Sequence, residues 1–507
     1  MGSPQARLSR GFARLEGALP YLVIAAATLL RLHDLGLHSV WFDEALALAR
    51  AEAPTVAGVV AAPPGVEPPL YYLVLHAWMG PSTSEVRARI LSVLLGGVAL
   101  VLAWRVLLSL LEPRRALVVL ALFAFSPFQV LWARQARPYA LREVLEFAAL
   151  LALLGARVGR LPWVLWAAFI GCAALTHYLS ALTVPGHLVL LFLLGSRTVV
   201  LARAAAWGGL ALAPAGFMAW RSREAITGIN AAAPQAAGAW DLARGVVEQF
   251  GAGAYVPDAL AAPGLLLFGG LGVVGLALAV SGLAAGRGLR SRSAASAGAA
   301  VLALGIVPLV LLWAAAWGGL VYQPKVRYAF GAHLFILVAC GTAAFRIPGG
   351  RVVRYAAVLL MLGLQAVSLK GYFSGLPPAL DLPPCLKPLK EAAALIAPRA
   401  RPGDVVLTTS IVVYLPLRHY LGPAVRQAYL SRDPTFTDGE LAALGKPDSL
   451  AGALRGARRA WIVISPVHYA EPAEVPVPVE RYLAQWGRPA GEWKLPGILV
   501  VLREGTP

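Results

Sequence analysis

Long apolar runs separated by short polar connections dominate the first 371 positions. They fall near residues 17–33, 86–110, 115–132, 138–156, 160–177, 179–196, 199–219, 263–285, 297–318, 327–345 and 353–371. Each is long enough, or nearly so, to cross a hydrocarbon core of about 30 Å. The pattern predicts about eleven transmembrane helices. The first run follows the basic stretch MGSPQARLSRGFARLEG and lacks a small-residue cleavage signature, so it reads as a retained span.

The polar connections orient the spans. With the N-terminus inside, alternate connections carry Arg114/Arg115, Arg157/Arg160, Arg197/Arg203, Arg287/Arg290/Arg292 and Arg346/Arg351/Arg354, the excess expected of cytoplasmic loops. The first loop (34–85), the RQARPY turn, the 220–262 connection, the YQPKVRY turn and the tail then share the extracytoplasmic side. Within the first loop, PPLYYLVLHAWM (68–79) is apolar but too short to span. It predicts an interfacial or re-entrant helix with prolines in its first turn. A companion amphipathic helix is expected over SVWFDEALALAR, with Ser39 as its cap and Trp41/Phe42 at headgroup level.

After residue 371 the pattern changes. A proline-rich stretch precedes short β-branched runs, DVVLTTS, AWIVIS and GILVVLRE, separated by helical periods such as VERYLAQW. The expected organisation is a membrane domain over 1–371 and an extracytoplasmic soluble α/β domain over 372–507. No GxGxxG or GxxxxGK[ST] loop supports nucleotide binding.

Composition agrees with lipid as the main solvent. The 507 residues are 58% hydrophobic and 14% charged, with mean hydropathy +0.68; a soluble domain is roughly 45–50% apolar. The net charge of +18 is spread between spans rather than gathered in one patch, which argues topology and against nucleic acid. Cys172, Cys340 and Cys385 form no ligand or disulfide pattern.

Cations on the translocated side defy the insertion bias and need another reason. Arg134, Arg137, Lys325 and Arg327 qualify, close to Tyr139, Tyr322 and Tyr328 at the depth of a lipid phosphate. Arginine holds phosphate bidentately and lysine adds a point charge; the plain alternative is snorkelling to headgroups. Asp43, Glu44 and Glu67 share the first loop with these cations. Sugar transfer from a lipid phosphate needs a base for the acceptor and a charge partner for the departing phosphate. The carboxylates and cations together supply both. Glu67 and His177, at the outer end of its span, are the residues that a divalent cation would use.

These segments resemble, in order, the GT-C fold glycosyltransferases that use lipid-phosphate sugars, the group of protein O-mannosyltransferases, the lipid A aminoarabinose transferase and lipopolysaccharide core transferases. The similar segments are LLRLHDLGLHSVWFDEALALAR, EPPLYYLVLHAWM, RQARPYAL, THY and YQPKVRYAFGAHLFIL, over residues 15–370. The resemblance implies an integral inner-membrane transferase that takes a sugar from a polyprenyl-phosphate donor to a lipid, glycan or protein acceptor. It implies Asp43 as base, Glu44 as its support, Glu67 as a carboxylate that orients substrate or holds a cation, and Arg137 as a contact to the donor phosphate, with Lys325 and Arg327 as looser matches. Tyr139 and Tyr71 are further expected donor contacts beside these cations. Glu67 stands where many relatives have His, so a metal stays an open alternative, and Asp43 and Glu44 could exchange roles. A transporter or flippase and a glycan ligase are the competing classes. Clustering of the charged candidates on one face, without paired halves, argues against alternating access.

Overall fold

The structure is a computed structural model and describes residues 4–61, 67–156, 160–223, 238–284, 292–321, 325–375, 388–431, 449–464 and 486–505. Tyr322, Cys385 and all of VERYLAQW but its final Trp lie outside the described residues.

The first run lies in α1 (Pro4–Leu32). The first loop then folds into α2 (Phe42–Ala51), α3 (Val56–Ala61) and α4 (Leu70–Met79) before α5 (Glu85–Leu110). Ser84 caps α5 by accepting the Arg87 N–H, and 26 residues give a length of about 39 Å. Next come α6 (Pro113–Ala124), α7 (Pro127–Ala133), α8 (Tyr139–Gly155), α9 (Arg160–Thr176), a 3-10 turn Tyr178–Leu182, α10 (Thr183–Leu193) and α11 (Thr198–Arg221). The rest of the bundle is α12 (Ala239–Phe250), α13 (Asp258–Ala284), α14 (Arg292–Ala300), a π turn Val301–Ile306, α15 (Val307–Trp317), a 3-10 segment Val326–Ala332, α16 (His333–Ala344) and α17 (Gly350–Phe373).

Helix occupies each of the eleven apolar runs. Among the described residues, six helices are long and apolar enough to cross a membrane, and α6 with α7 makes a seventh span bent by 56°. The bend has a chemical cause: Ser126 and Pro127 open α7, and proline donates no N–H to the preceding turn. The other four runs hold shorter apolar helical stretches or more polar helices, among them Gly17–Leu32 of α1 and α8, whose 17 residues include buried Arg142, Glu143 and Glu146.

Close helix contact depends on glycine at two places. A Cβ at Gly275 of α13 would sit 2.2 Å from the Ala339 carbonyl oxygen of α16. Gly253, at φ +89°, leads the chain past Pro127 and Ser368, each 2.6 Å from where its Cβ would lie. Around these contacts Leu107, Phe123, Phe147, Leu334, Phe335 and Met361 form the main core.

The tail is a mixed sheet with helices. After α18 (Leu389–Ile396) come β1 (Asp404–Ser410), α19 (Ile411–Leu421), β2 (Arg426–Ser431), α20 (Leu450–Leu454), β3 (Arg459–Ile464), β4 (Gly487–Leu495) and β5 (Ile498–Gly505). Strand order is β2-β1-β3-β5-β4, with β1 parallel to β2 and β3, and β5 antiparallel to β3 and β4. The three β-branched runs became β1, β3 and β5. Buried Arg459 and Trp461 both donate to the Asp404 carboxylate, at 2.6 and 3.0 Å, and lock β3 to β1.

One expectation for the first loop needs adjustment. Trp41, not Ser39, stands at the N-cap of α2, without a side-chain cap bond; Ser39 Oγ instead accepts the Lys390 N–H at 3.1 Å. The two predicted short helices also pack on the tail domain: Leu48, Tyr71, Tyr72 and Leu75 form one core with Ala136 and with Ile411, Tyr414 and Leu415 of that domain.

Candidate active site

The site is built where the first loop, the turn between α7 and α8, and the segment before α16 meet. Asp43 lies in the first turn of α2. Its Oδ2 is 3.5 Å from Arg137 Nη2 and 3.7 Å from Arg327 Nη2, with the carboxylate side chain 21% exposed. Glu67 approaches Arg137 from the opposite end of the loop, Oε1 at 2.6 Å from Nη2. Arg137 also donates to the Asp43 carbonyl at 3.1 Å and to the Tyr72 hydroxyl at 3.5 Å. Burial alone would lower its pKa; the Glu67 and Asp43 carboxylates carry it well above the usual value. It is a permanent cation.

Both arginines face the Trp41 ring, Arg137 at 6.0 Å and Arg327 at 5.6 Å from its centroid. Arg327 lies 5.5 Å from Trp132 as well. Such ring faces favour guanidinium without neutralising it. Among the described residues, each arginine keeps a buried Nε donor with no hydrogen-bond partner. A buried donor left unmade is costly, so both point to an anionic oxygen as the missing acceptor.

Glu44 has a different environment. At 1% exposure it accepts from Arg89 Nε at 3.0 Å and Nη2 at 2.8 Å, and from the Ala136 N–H at 2.8 Å. Arg89 in turn donates to the carbonyls of Leu35, His38 and Ser39. The bidentate pair ties the start of the loop, α5 and the turn carrying Arg137 into one unit. Arg50 does the same for the far end, donating to the carbonyls of Val59 and Glu67 and lying 4.3 Å over Tyr72.

The remaining predicted residues divide. Tyr139 is buried among Trp132, Phe330 and His177, stacked on Phe330 at 5.6 Å, and forms the wall behind Arg327. Lys325 stands two residues before Arg327, at the start of the 3-10 segment. Tyr71 is 0% exposed, packed edge-on against Tyr72; its neighbour Tyr72 is the one that touches Arg137. Arg134 hydrogen-bonds the carbonyls of Arg31, His33 and Asp34, capping the end of α1.

Glu67 and His177 each have another partner: the Glu67 carboxylate pairs with Arg137, and His177 Nδ1 accepts the Leu179 N–H at 3.3 Å. Among the described residues no group of three or more His, Cys, Asp or Glu could hold an ion.

Sequence reading passed over Arg89, Arg50 and Tyr72, although Arg89 lies inside an apolar span, where a charge is itself a signal. It also passed over a polar network inside the bundle. There Gln129 donates to Glu143 at 2.8 Å and meets His333, while Arg142 pairs with Glu146 at 2.7 Å and donates to the Tyr328 carbonyl. Beside Tyr328, Arg142 and Glu146 lies a narrow pocket with apolar walls that include Leu150, Leu304 and Phe335.

Comparison with known proteins agrees with this architecture. Residues 66–221 match the family described as dolichyl-phosphate-mannose-protein mannosyltransferase. No curated protein matches the chain. Among solved structures, the chain is similar to ArnT from Cupriavidus metallidurans in the apo state, at 14% identity, 98% coverage of both chains and a TM-score of 0.59. It is also similar to ArnT from the same organism bound to undecaprenyl phosphate, at 14% identity, coverage of 95% of this chain and 97% of that one, and a TM-score of 0.55. At such identity the likeness carries the fold, and it does so over nearly the whole length. The chain is a polytopic membrane protein of the GT-C glycosyltransferase fold.

Proposed function

We propose that this chain transfers a sugar from a polyprenyl-phosphate donor to an acceptor hydroxyl or amine on the extracytoplasmic face, with Asp43 as the base. The observation that carries the reading is the convergence of one partly exposed carboxylate and two guanidiniums with spare buried donors. The family match over 66–221 and the undecaprenyl phosphate bound to ArnT support the choice of donor.

The chemistry follows from charge. The acceptor heteroatom attacks the anomeric carbon, its proton passes to Asp43, and the carbon–oxygen bond to the phosphate breaks with its electrons leaving on the phosphate. Negative charge thus disappears from Asp43 and grows on the phosphate. Arg137 and Arg327 stand within 3.5 and 3.7 Å of that carboxylate, so a phosphate bound beside it would meet the same two cations at both ends of the reaction. Preformed charge aimed at a developing anion is the most effective kind of stabilisation. Glu67 holds Arg137 in place; Glu44, saturated by Arg89 and Ala136, is a positioning residue; Tyr139 shapes the wall, and Lys325 adds positive charge beside Arg327. The narrow pocket beside Tyr328 suits an apolar prenyl chain. No step passes through a metal.

The same reading places the N-terminus in the cytoplasm and the domain over 372–507 outside an inner membrane. The test uses proteoliposomes and a set of labelled polyprenyl-phosphate sugars, with free polyprenyl phosphate as the readout. Release by the wild type and none by Asp43→Asn is the expected result. Donor movement across the bilayer without sugar release would make the protein a transporter.

A further inference from the structure

The tail domain grips the segment that leads into Asp43. Tyr420 Oη on α19 accepts the Val40 N–H at 2.7 Å, and Val40 is 1% exposed. The Lys390 N–H donates to Ser39 Oγ at 3.1 Å. Lys390 Nζ is 2.9 Å from Glu85 Oε1 and His419 Nε2 is 3.7 Å from Glu85 Oε2, and the Tyr420 hydroxyl lies beside the same carboxylate. Glu85 opens α5 one turn before Arg89, the partner of Glu44.

Six consecutive residues therefore divide between two tasks. Ser39 and Val40 are held by the tail domain, Trp41 faces Arg137 and Arg327, Asp43 pairs with both, and Glu44 is fixed to Arg89. Trp41, as N-cap, is extended at φ −99° and ψ 174° and gives α2 no side-chain cap. The register of the first turn of α2 thus depends on what holds the residues before it, and Tyr420 supplies the acceptor for the buried Val40 N–H.

We infer that Tyr420 is a positioning residue for Asp43, through which the C-terminal domain sets the placement of the base without touching substrate. The inference rests on the transferase reading above. A displacement of about 1 Å in a reacting group can lower a rate by about a hundredfold. The donor-facing cations Arg137 and Arg327 sit on other segments, so loss of the Tyr420 hydroxyl should act on turnover rather than on donor affinity.

The test is Tyr420→Phe in the full-length protein in proteoliposomes. We expect kcat to fall about tenfold, donor KM to stay within about twofold, and amide hydrogen exchange to rise in a peptide covering residues 39–46 but not in one covering 86–110. Arg488→Ala, exposed on β4, serves as the control with unchanged kcat. Unchanged kcat and unchanged exchange at residues 39–46 would overturn the inference, and so would a general loss of exchange protection across the tail domain, which marks a merely structural contact. If Tyr420→Phe gives aggregated protein, Ser39→Ala, which removes the acceptor of the Lys390 N–H, supplies the same three readouts for the grip of the tail domain. Full turnover by Asp43→Asn would sink the base assignment itself; an inactive Asp43→Asn beside a fully active Tyr420→Phe would sink only the positioning role.

Discussion

At Asp43 the competition is between a carboxylate that neutralises two arginines and a base that must accept a proton. Asn keeps the shape and removes the charge. Asp43→Asn is expected to retain binding of polyprenyl phosphate, since Arg137 and Arg327 lose a competitor, while transfer falls by at least a hundredfold, the scale of general-base catalysis. Equilibrium binding of labelled polyprenyl phosphate checks the first half. Arg137→Lys should weaken that binding, because lysine cannot reproduce the forked contacts with Glu67, the Asp43 carbonyl and Tyr72.

His38 gives a separate prediction on pH. Its burial first, then the nearby Arg134 and Arg89 cations, push the imidazole down to about 4. Between about pH 6.5 and 4 the unfolded chain binds this proton and the native loop does not, so stability falls as pH falls through that window. The slope contributed is on the order of 1 kcal/mol per pH unit. Thermal unfolding of His38→Gln against wild type at pH 5 and 7 should show a smaller acid loss in the mutant.

Individual residues also show where sequence reading reached its limit. Arg137 and Arg327 drew notice as cations in connections read as extracytoplasmic, and Asp43 as an acid in the first loop; the structure brings the three together. Arg134 drew the same notice for a structural reason, the carbonyls at the end of α1. Only coordinates separate the two cases. Tyr71 and Tyr72 are adjacent on a helix whose turns are apolar all round, so periodicity could not say which one faces Arg137.

Among the elements, the α2 to α5 connection rests on a buried ion pair. Glu44 and Arg89 are a buried bidentate pair, side chains 2% and 4% exposed, and removing one partner of such a pair costs about 3–5 kcal/mol. Arg89→Met should therefore lower thermal stability sharply and free the Arg137 turn, while Glu44→Gln with Arg89→Met together should recover part of the loss. The spans themselves were legible from apolar run length, whereas their breaks were set by local chemistry. The kink at Ser126-Pro127 and the π turn at Val301–Ile306 divide runs that hydropathy alone reads as continuous. Helix proximity is decided by single glycines, so Gly275→Val should reduce folded yield in membranes by forcing α13 away from the Ala339 carbonyl. Size-exclusion profiles of the solubilised protein read that outcome.

For the molecule as a whole, the charged site sits against an apolar helical bundle, and the tail domain packs on the first loop that carries Asp43. The β-branched runs became three of the strands in the sheet. The contact between the tail domain and the first loop was not legible, because Tyr420, Lys390 and His419 are 305 to 380 residues away from the groups they meet, as the Lys390–Glu85 and Val40–Tyr420 separations show. The account as a whole depends on the site being a phosphosugar transfer centre. The most direct measurement is single-turnover release of polyprenyl phosphate from a bound, labelled polyprenyl-phosphate sugar by wild type and Asp43→Asn. Release by the wild type is expected, with equal donor binding but no release by the mutant; equal release by both would remove Asp43 as the base.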